Sequence, residues 1–252
     1  MAARSPSFRG ISLDTHLHAL TPGHRADTLL VFLPGAFLKP EDFEREGFVS
    51  GVRRQDFAAD VMLVDANVSY YYDQSFVPRL THDVLAPARA QGYKSIWLVG
   101  ISIGGFGALT HELAHPGLVE GIVVLAPYLG RRPIGADIHK AGGLRVWKNP
   151  EGPPPDEEVD RKLWPWLQRY AAPDAAVALP PLYLGHGLAD RFAPNHQLLA
   201  DVLPPGHVFT AEGGHDWPVW SALWRDMLTT LPLPRIVRDT VAQAEQGADD
   251  RL

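Results

Sequence analysis

The chain has 252 residues, of which 46% are hydrophobic and 21% are charged, a composition typical of globular domains and unlike that of disordered, collagen-like or coiled-coil proteins. Its 23 lysines and arginines against 29 aspartates and glutamates give a net charge of −6, with no long basic run, so we expect no nucleic-acid partner. Cysteine is absent, which excludes disulfides, thiolate catalysis and sulfur-ligated metal sites.

The length fits one large domain covering residues 1–252. The first ten residues lack the apolar stretch of a signal peptide, and no later segment is apolar for the ~18 residues that a membrane span needs. We therefore expect a soluble, cytoplasmic protein without stable membrane insertion.

From about residue 28 to about residue 230, short apolar runs alternate with longer segments of helical spacing. This pattern predicts an α/β fold, with a mostly parallel central sheet covered by helices on both faces. Most of the runs lack polar alternation, as expected for strands buried on both faces. The predicted strands are residues 28–33, 61–65, 95–99, 121–125, 181–185 and 207–211. The predicted helices are residues 41–57, 77–91, 103–115, 156–170, 194–203 and 219–231, and residues 9–13 are predicted to add an antiparallel edge strand.

Residues 130–180 form a long connection that is rich in Pro and Gly near residues 149–155 and carries Trp147, Trp164 and Trp166. Because connections of this length are usually functional or disordered, we predict a short cap inserted into the domain. The alternative is a surface excursion whose tryptophans only pack its helix onto the body of the domain. From residue 235 onwards the sequence predicts one amphipathic helix that frays towards its end.

The strongest chemical signal is the pattern Gly-x-Ser-x-Gly at residues 100–104, between a predicted strand and a predicted helix. This is the context of a nucleophile elbow, a sharp strand-to-helix turn that exposes a serine hydroxyl. Gly100 and Gly104 supply the small residues that such a turn needs, and the dipole of the helix favours an anionic intermediate beside Ser102. Ser102 is therefore the candidate nucleophile.

A serine nucleophile in this setting needs an acid and a base, each on a loop that follows a later strand. Asp190 follows the predicted strand 181–185, and His215 follows the predicted strand 207–211. The sequence predicts that Asp190 is the acid and His215 the base. The alternatives are a carboxylate that caps a helix or pairs with Arg191, and a solvated loop histidine.

An acyl-transfer serine also needs donors for the oxyanion that forms in the reaction. In this kind of fold one backbone amide comes from a loop after an early strand, and the other comes from the residue after the nucleophile. The segment Leu-Pro-Gly-Ala-Phe at residues 33–37 lies in the first of these places. The predicted donors are the amides of Ala36 and Ile103, with Phe37 as the rival to Ala36.

Two segments carry a resemblance to a known family: Gly-Ile-Ser-Ile-Gly-Gly-Phe-Gly-Ala-Leu at residues 100–109 and Gly-Gly-His-Asp-Trp-Pro-Val-Trp at residues 213–220. The chain resembles the serine α/β-hydrolase superfamily and is similar to carboxylesterases of the esterase D, feruloyl esterase and mycolyltransferase kind. The resemblance implies an α/β-hydrolase fold from about residue 28 to residue 231, with triad roles for Ser102, Asp190 and His215. It also implies ester hydrolysis through an acyl-enzyme without a cofactor. The sequence departs from the family in its oxyanion loop, which lacks the commoner His-Gly pair.

Residues just beyond the strands are candidates for the substrate pocket, because ligands of open α/β sheets bind at the carboxyl ends of the strands. The proposed pocket residues are Phe37, Tyr71, Tyr128, Leu188 and Trp217. The alternative for the aromatic residues is packing within the cap or an interface.

The other histidines predict no metal site. His111 and His115 have a spacing that can bind metal, but the sequence lacks an adjacent HExxH pattern, so we interpret the pair as a solvated helix face. His16, His18 and His24 are interpreted as a chance cluster in a polar segment.

We expect a serine hydrolase that cleaves carboxylic esters with small or medium acyl groups and binds a small-molecule substrate. A thioesterase, a lipase or an acyltransferase could use the same triad. A binding protein with an inactive site is the remaining alternative, because a fold does not dictate a function. The sequence does not indicate the oligomeric state.

Overall fold

The structure is a computed structural model that describes residues 12–149, 159–171 and 178–237. Its centre is a seven-stranded sheet in the order β1-β3-β2-β4-β5-β6-β7. The strands are β1 (Asp14–His18), β2 (Thr28–Leu33), β3 (Ala59–Asp65), β4 (Ser95–Ile101), β5 (Gly121–Leu125), β6 (Leu182–Gly187) and β7 (Val208–Ala211). Strand β1 pairs antiparallel with β3, and every other pairing in the sheet is parallel. The predicted mostly parallel sheet is confirmed.

Helices surround this sheet. They are α1 (Pro40–Arg45), α2 (Phe48–Arg54), α3 (Ser69–Tyr72), α4 (Phe76–Arg79), α5 (Ala86–Gln91), α6 (Ile103–Ala114), α7 (Arg132–Lys140), α8 (Val159–Gln168), α9 (Ala193–Ala200) and α10 (Trp217–Met227). A π-helical segment (Leu80–Leu85) joins α4 to α5, and a 3-10 turn (Arg169–Ala171) follows α8. Helices α1, α2 and α10 cover one face of the sheet, and the remaining long helices cover the other.

The continuous apolar runs form strands because both faces of the sheet are buried. In β2, Leu29, Val31 and Leu33 join the hydrophobic cluster on one face, while Leu30 and Phe32 join the cluster on the other. The apolar side chains at residues 29–33 thus alternate between the two faces of the sheet and contribute to both cores. The second of these cores is rich in aromatic rings, with Phe32, Phe48 and Trp224 in mutual contact.

The antiparallel edge strand was predicted at residues 9–13, but β1 begins at Asp14. Residues 9–11 lie outside the described residues, and Leu13 precedes the strand with a buried side chain. The Leu13 amide donates to the Asp83 carboxylate at 3.0 Å, which fixes the chain just before β1. Edge strands are commonly polar, and the sequence Asp-Thr-His-Leu-His of β1 is largely exposed.

The single helix predicted for residues 41–57 is wrong, because the segment forms two helices that meet at Gly47. Gly47 has a φ of 81°, in the left-handed region that favours glycine and interrupts a helix. Helix α7 was not predicted. The predicted helix from residue 235 does not begin there, because the Ile236 amide pairs with the Asp56 carbonyl oxygen at 2.7 Å. Residues 238–252 of that prediction lie outside the described residues.

The described parts of residues 130–180 contain α7 and α8. Trp147, Trp164 and Trp166 are buried and belong to the same hydrophobic cluster as the central strands. The tryptophans therefore pack this segment onto the body of the domain. Among the described residues, no helix combines the length and the hydrophobicity needed to cross a membrane.

Candidate active site

Ser102 lies on the tight turn between β4 and α6. Its backbone has φ 53° and ψ −114°, a conformation that non-glycine residues rarely adopt and that the surrounding structure must hold in place. The turn leaves no space for a side chain at the positions two residues before and two residues after the serine. A β-carbon on Gly100 would collide with the backbone of Gly104, and one on Gly104 would collide with the Leu33 carbonyl group.

The backbone of Ser102 is hydrogen-bonded on both sides. Its amide donates to the carbonyl oxygen of Leu125 at 2.9 Å. Its own carbonyl oxygen accepts from the Tyr128 amide at 2.9 Å and from the Phe106 amide at 3.2 Å. These bonds anchor the turn to the end of β5 and hold the Ser102 side chain above the sheet.

Three side chains from distant parts of the chain form one hydrogen-bonded series. Ser102 Oγ lies 3.0 Å from His215 Nε2, and His215 Nδ1 lies 2.7 Å from Asp190 Oδ2. An ionised carboxylate can only accept hydrogen bonds, so Nδ1 carries the proton that is donated to Asp190. In the neutral ring Nε2 is then the free acceptor for the Ser102 hydroxyl, as a general base requires.

His215 lies on the loop between β7 and α10, and aromatic rings fix the plane of its imidazole. The ring of Phe192 packs edge-on against it at 5.4 Å between centroids, and that of Trp220 does so at 5.1 Å. The Asp216 carboxylate caps α10 by accepting from the Val219 amide at 3.3 Å. About 14% of the His215 side chain remains exposed, which leaves room for water to reach it.

Asp190 follows β6 and is buried. Burial raises the pKa of its carboxyl group, but hydrogen bonds from His215 and from the Phe192 amide outweigh this effect and bring the pKa below its usual value. The two carboxylate oxygens divide these partners, because Oδ1 accepts from the Phe192 amide at 2.8 Å and Oδ2 faces His215. Asp190 is therefore ionised and oriented at neutral pH.

The loop after β2 packs against Ser102 and carries several backbone amides. The Leu38 amide donates to the Gly35 carbonyl oxygen at 3.2 Å, and Phe37 in this turn has a φ of 65°. Ile103 is the first residue of α6, where an amide has no partner within the helix. Among the described residues, no protein acceptor is found for the amides of Ala36, Phe37 or Ile103. All three amides are thus available to an oxyanion.

Comparisons with known proteins bear on the fold. No family model matches the chain, and no curated protein sequence matches it. The S-formylglutathione hydrolase of Staphylococcus aureus has a similar structure over 81% of this chain and 80% of its own, with 15% identity and a TM-score of 0.57. The fluorophosphonate-binding serine hydrolase F of Staphylococcus aureus is similar over 84% of this chain and 86% of its own, with 16% identity and a TM-score of 0.55. Est1E from Butyrivibrio proteoclasticus is similar over 86% of this chain and 91% of its own, with 16% identity and a TM-score of 0.54.

The chain has an α/β-hydrolase fold. The predicted fold class is confirmed. Within this α/β-hydrolase fold, Ser102, Asp190 and His215 follow β4, β6 and β7 at the carboxyl edge of the sheet, where open α/β sheets bind their ligands.

A cavity of about 610 Å³ opens beside the turn that carries Ser102, where Ile103 lines it. One stripe of α6 forms its floor, through Ile103, Phe106, Thr110 and Leu113. Two of the predicted pocket residues, Tyr71 and Tyr128, also line it. Its walls come from α3, α4 and α8, and they are mostly apolar and aromatic.

The other predicted pocket residues do not line this cavity. Phe37 is about 90% exposed, and Leu188 is about half exposed. Trp217 instead packs against Phe43 and Phe48, with ring centroids 5.9 Å and 5.7 Å away. Sequence reasoning missed Phe192 and Trp220, which flank His215; their place close to Asp190 and His215 in the sequence was the available signal.

The interpretation of His111 as part of a solvated helix face is wrong, because its side chain is fully buried. Its Nε2 lies 3.1 Å from the Thr81 hydroxyl oxygen, and burial together with His115 lowers the pKa of His111 to about 4. A second buried histidine, His196, donates from Nε2 to the Pro127 carbonyl oxygen at 2.9 Å. Burial lowers the pKa of His196 to about 4 as well. Both rings are neutral structural groups.

Proposed function

We propose that the protein is a serine esterase in which Ser102 is the nucleophile, His215 the general base and Asp190 the acid of the triad. The observation that carries the proposal is the hydrogen-bonded series of these three side chains, with Ser102 on a strained strand-to-helix turn. A binding protein would not need a serine held at φ 53° with its hydroxyl directed to a histidine that a carboxylate orients.

The mechanism follows from the proton positions. His215 Nε2 removes the Ser102 proton as Oγ attacks the ester carbonyl carbon, and Asp190 stabilises the imidazolium that forms. The amides of Ala36 and Ile103 then bind the oxyanion, and the α6 dipole adds to this stabilisation. The imidazolium gives its proton to the departing alcohol. Water, deprotonated by the same histidine, next attacks the acyl-enzyme. The bond from the acyl carbon to Oγ breaks, Oγ takes the proton from the imidazolium, and the acid is released.

We assign the acyl group of the substrate to the apolar cavity along α6. The cavity begins at Ile103, directly after the nucleophile, and continues to Leu113. At a rise of ~1.5 Å per residue this stretch of helix spans about 15 Å, enough for a medium acyl chain. Val159, Asp160 and Lys162 of α8 form one wall, so we propose that α8, within the predicted short cap, covers the acyl group.

The names of similar structures support the same class. One is called a fluorophosphonate-binding serine hydrolase, and another is called an S-formylglutathione hydrolase. The second name makes a thioester the alternative substrate, because a thioester is cleaved by the same steps.

The test is hydrolysis of p-nitrophenyl esters from acetate to palmitate, with matched acyl thioesters, by the wild-type protein and Ser102→Ala. We expect turnover that disappears in Ser102→Ala and an optimum at medium chain length. A long-chain optimum or a strong thioester preference would identify a lipase or a thioesterase. Transfer of the acyl group to an added alcohol would indicate an acyltransferase. Turnover that persists in Ser102→Ala, or none on any substrate by the folded wild type, would contradict the proposal.

A further inference from the structure

A second cavity, which we call the basic pocket, lies between α7 and α9. Its volume is about 310 Å³. Arg132 and His139 of α7 line one side, and Arg191, Phe192 and Asn195 line the other. No carboxylate lines this pocket among the described residues, although the whole chain has a net charge of −6. The basic pocket is therefore positively charged, although the net charge of the protein is negative.

The walls of the basic pocket are fixed by contacts between the two helices. His139 Nε2 donates to the Pro194 carbonyl oxygen at 3.1 Å. Gly135 packs so closely on Asn195 that a β-carbon at residue 135 would collide with its side-chain amide. The Arg191 guanidinium lies over the Phe192 ring at 4.9 Å, an arrangement that favours a fixed position over free movement in solvent. These contacts order the pocket side chains in advance, so less conformational entropy is lost when a ligand binds.

Arg132 and Arg191 have no carboxylate partner in the part of the chain that the structure describes. The acids nearby are already paired: Asp160 binds Arg131 at 2.7 Å, and Asp137 lies 3.7 Å from Lys140. Guanidinium groups bind carboxylates and phosphates in a planar, bidentate geometry. Two arginines on opposite sides of the basic pocket, neither with a carboxylate partner among the described residues, are therefore suited to one anionic group.

The basic pocket adjoins the catalytic residues. Phe192 lines the pocket and also packs against His215 at 5.4 Å, so a single ring separates the guanidinium of Arg191 from the imidazole. Phe192 also contacts Tyr128, with ring centroids 6.0 Å apart, and Tyr128 contacts Phe106 at 5.5 Å. Tyr128 and Phe106 line the apolar cavity. A row of three aromatic rings thus leads from the apolar cavity to the basic pocket, past the histidine.

We propose that the basic pocket binds a carboxylate or phosphate group on the alcohol or thiol portion of the substrate, while the apolar cavity holds the acyl chain. The inference rests on the proposed esterase function. When the bond between the acyl carbon and the leaving oxygen or sulfur breaks, Ser102 keeps the acyl group. The leaving atom takes the proton from His215, and the anionic product departs from the arginine side.

The test compares two esters with the same octanoyl group, p-nitrophenyl octanoate and its analogue with a carboxylate on the nitrophenyl ring. We expect the wild type to prefer the anionic ester by about tenfold or more in kcat/KM, the effect of one charge-assisted hydrogen bond. Arg132→Gln and Arg191→Gln should each reduce kcat/KM for the anionic ester by about tenfold and change that for the neutral ester by less than about twofold. Arg191→Lys should restore part of the preference, because it keeps the charge.

Arg225→Gln provides the matched control, since Arg225 lies on α10 and, within the described ranges, its side chain bonds only to the Ser221 carbonyl oxygen. It should leave both rates unchanged. Equal kcat/KM values for the two esters in the wild type, or equal losses on both esters in the Arg132 and Arg191 variants, would overturn the inference and leave the esterase proposal standing.

A binding measurement separates failure of the inference from failure of the esterase proposal. Ser102→Ala is titrated calorimetrically with the anionic and neutral octanoyl esters, which it should bind without cleaving. We expect tighter binding of the anionic ester, with the difference lost when Arg132→Gln is added. Competition by benzoate or by phenyl phosphate then identifies the anion as a carboxylate or a phosphate. If neither ester is hydrolysed but this arginine-dependent difference persists, the esterase proposal fails and the anion site remains; equal affinities for the two esters would remove the anion site itself.

Discussion

Gly35 packs directly against Ser102, and a β-carbon built on Gly35 would lie 3.4 Å from the Ser102 β-carbon. The loop after β2 and the turn after β4 therefore touch through their backbones. This contact places the next residue, Ala36, close to Ser102, although Ala36 lies 66 positions earlier in the chain. This packing positions the Ala36 amide, the proposed oxyanion donor. The Ala36 side chain plays no part in that role.

Ala36→Pro tests the oxyanion role, because proline removes the amide hydrogen and little else. The turn is closed by the bond from the Leu38 amide to the Gly35 carbonyl oxygen, and the positive φ of Phe37 is typical of a type II turn. Such a turn accepts proline at its second residue. We expect kcat to fall by about 10²- to 10³-fold with little change in KM. Ala36→Ser, which keeps the amide, should retain activity. Activity retained in Ala36→Pro would assign the donor elsewhere, with the Phe37 amide as the next candidate.

Asp190→Asn tests whether the carboxylate charge is needed. Asparagine keeps the size of the side chain and can still accept from the Phe192 amide, but it cannot stabilise an imidazolium or hold the proton on Nδ1 of His215. We expect kcat to fall by up to about 10⁴-fold in steady-state assays. The midpoint of thermal unfolding should change far less than the rate does. Activity within about tenfold of the wild type would exclude Asp190 as the acid.

The raised pKa of Glu112 predicts that its contribution to the free energy of unfolding declines as pH rises. Its side chain is buried on α6, where one carboxylate oxygen accepts from the Gly117 amide at 2.8 Å and, among the described residues, the other has no partner. Burial raises the pKa of Glu112 to about 7. The folded state binds the Glu112 carboxyl proton more tightly than the unfolded state does. The contribution of this proton to the free energy of unfolding is therefore complete below about pH 4.5 and is lost as pH rises to about 7.

Chemical denaturation of the wild type and Glu112→Gln at several pH values checks this prediction. The free energy of unfolding of the wild type should fall, relative to that of Glu112→Gln, by on the order of 3 kcal/mol between pH 4.5 and pH 7. A constant difference across this range would show that Glu112 titrates normally.

The lowered pKa of His111 predicts the opposite pH dependence, a free energy of unfolding that falls as pH decreases. Its pKa is lowered to about 4 in the folded state, so the unfolded state binds the proton more readily between pH 6.5 and pH 4. Its contribution to stability is therefore present above about pH 6.5 and is lost as pH falls through this window. His111→Gln, which can still bond to Thr81, should flatten the acid limb of the curve measured by urea unfolding. An equally steep loss of stability with falling pH in the wild type and in His111→Gln would contradict the lowered pKa of His111.

Asp60 anchors the segment between β1 and β2. Its buried carboxylate accepts from the amides of Leu20 and Ala26 at 2.7 Å and 3.0 Å, and from the Tyr93 hydroxyl at 2.7 Å. In Asp60→Asn the amide nitrogen would face at least one of these donors. We expect the free energy of unfolding to fall by about 2–4 kcal/mol, with the kcat of any remaining folded enzyme unchanged. Tyr93→Phe removes one donor and should cost less, about 1–2 kcal/mol by the same measurement.

Sequence reasoning located most of the sheet, because strands buried on both faces give continuous apolar runs. The predicted ranges 28–33 and 121–125 coincide with β2 and β5. Helix α7 escaped prediction because its sequence, Arg-Pro-Ile-Gly-Ala-Asp-Ile-His-Lys, offers only two large apolar residues, Ile134 and Ile138. The basic pocket could not be predicted for the same reason, since three of its seven lining residues come from that helix.

The order of Ser102, Asp190 and His215 along the chain was readable because each follows a strand. The burial of His111 was not, because a histidine at a helical position gives no sign of which face it occupies until other elements pack around it. Trp217 illustrates the same limit: its neighbours Phe43 and Phe48 come from helices about 170 residues earlier in the chain.

The hydrogen bond from the Ser102 amide to the Leu125 carbonyl oxygen ties Ser102 to β5, a central strand of the sheet. The Ser102 amide can exchange its hydrogen with solvent only when β4 and β5 separate, so its exchange rate reports global unfolding. Heat inactivation of the enzyme should then follow the same kinetics as loss of the whole tertiary structure. Residual activity can accordingly serve as a direct assay of how many molecules remain folded.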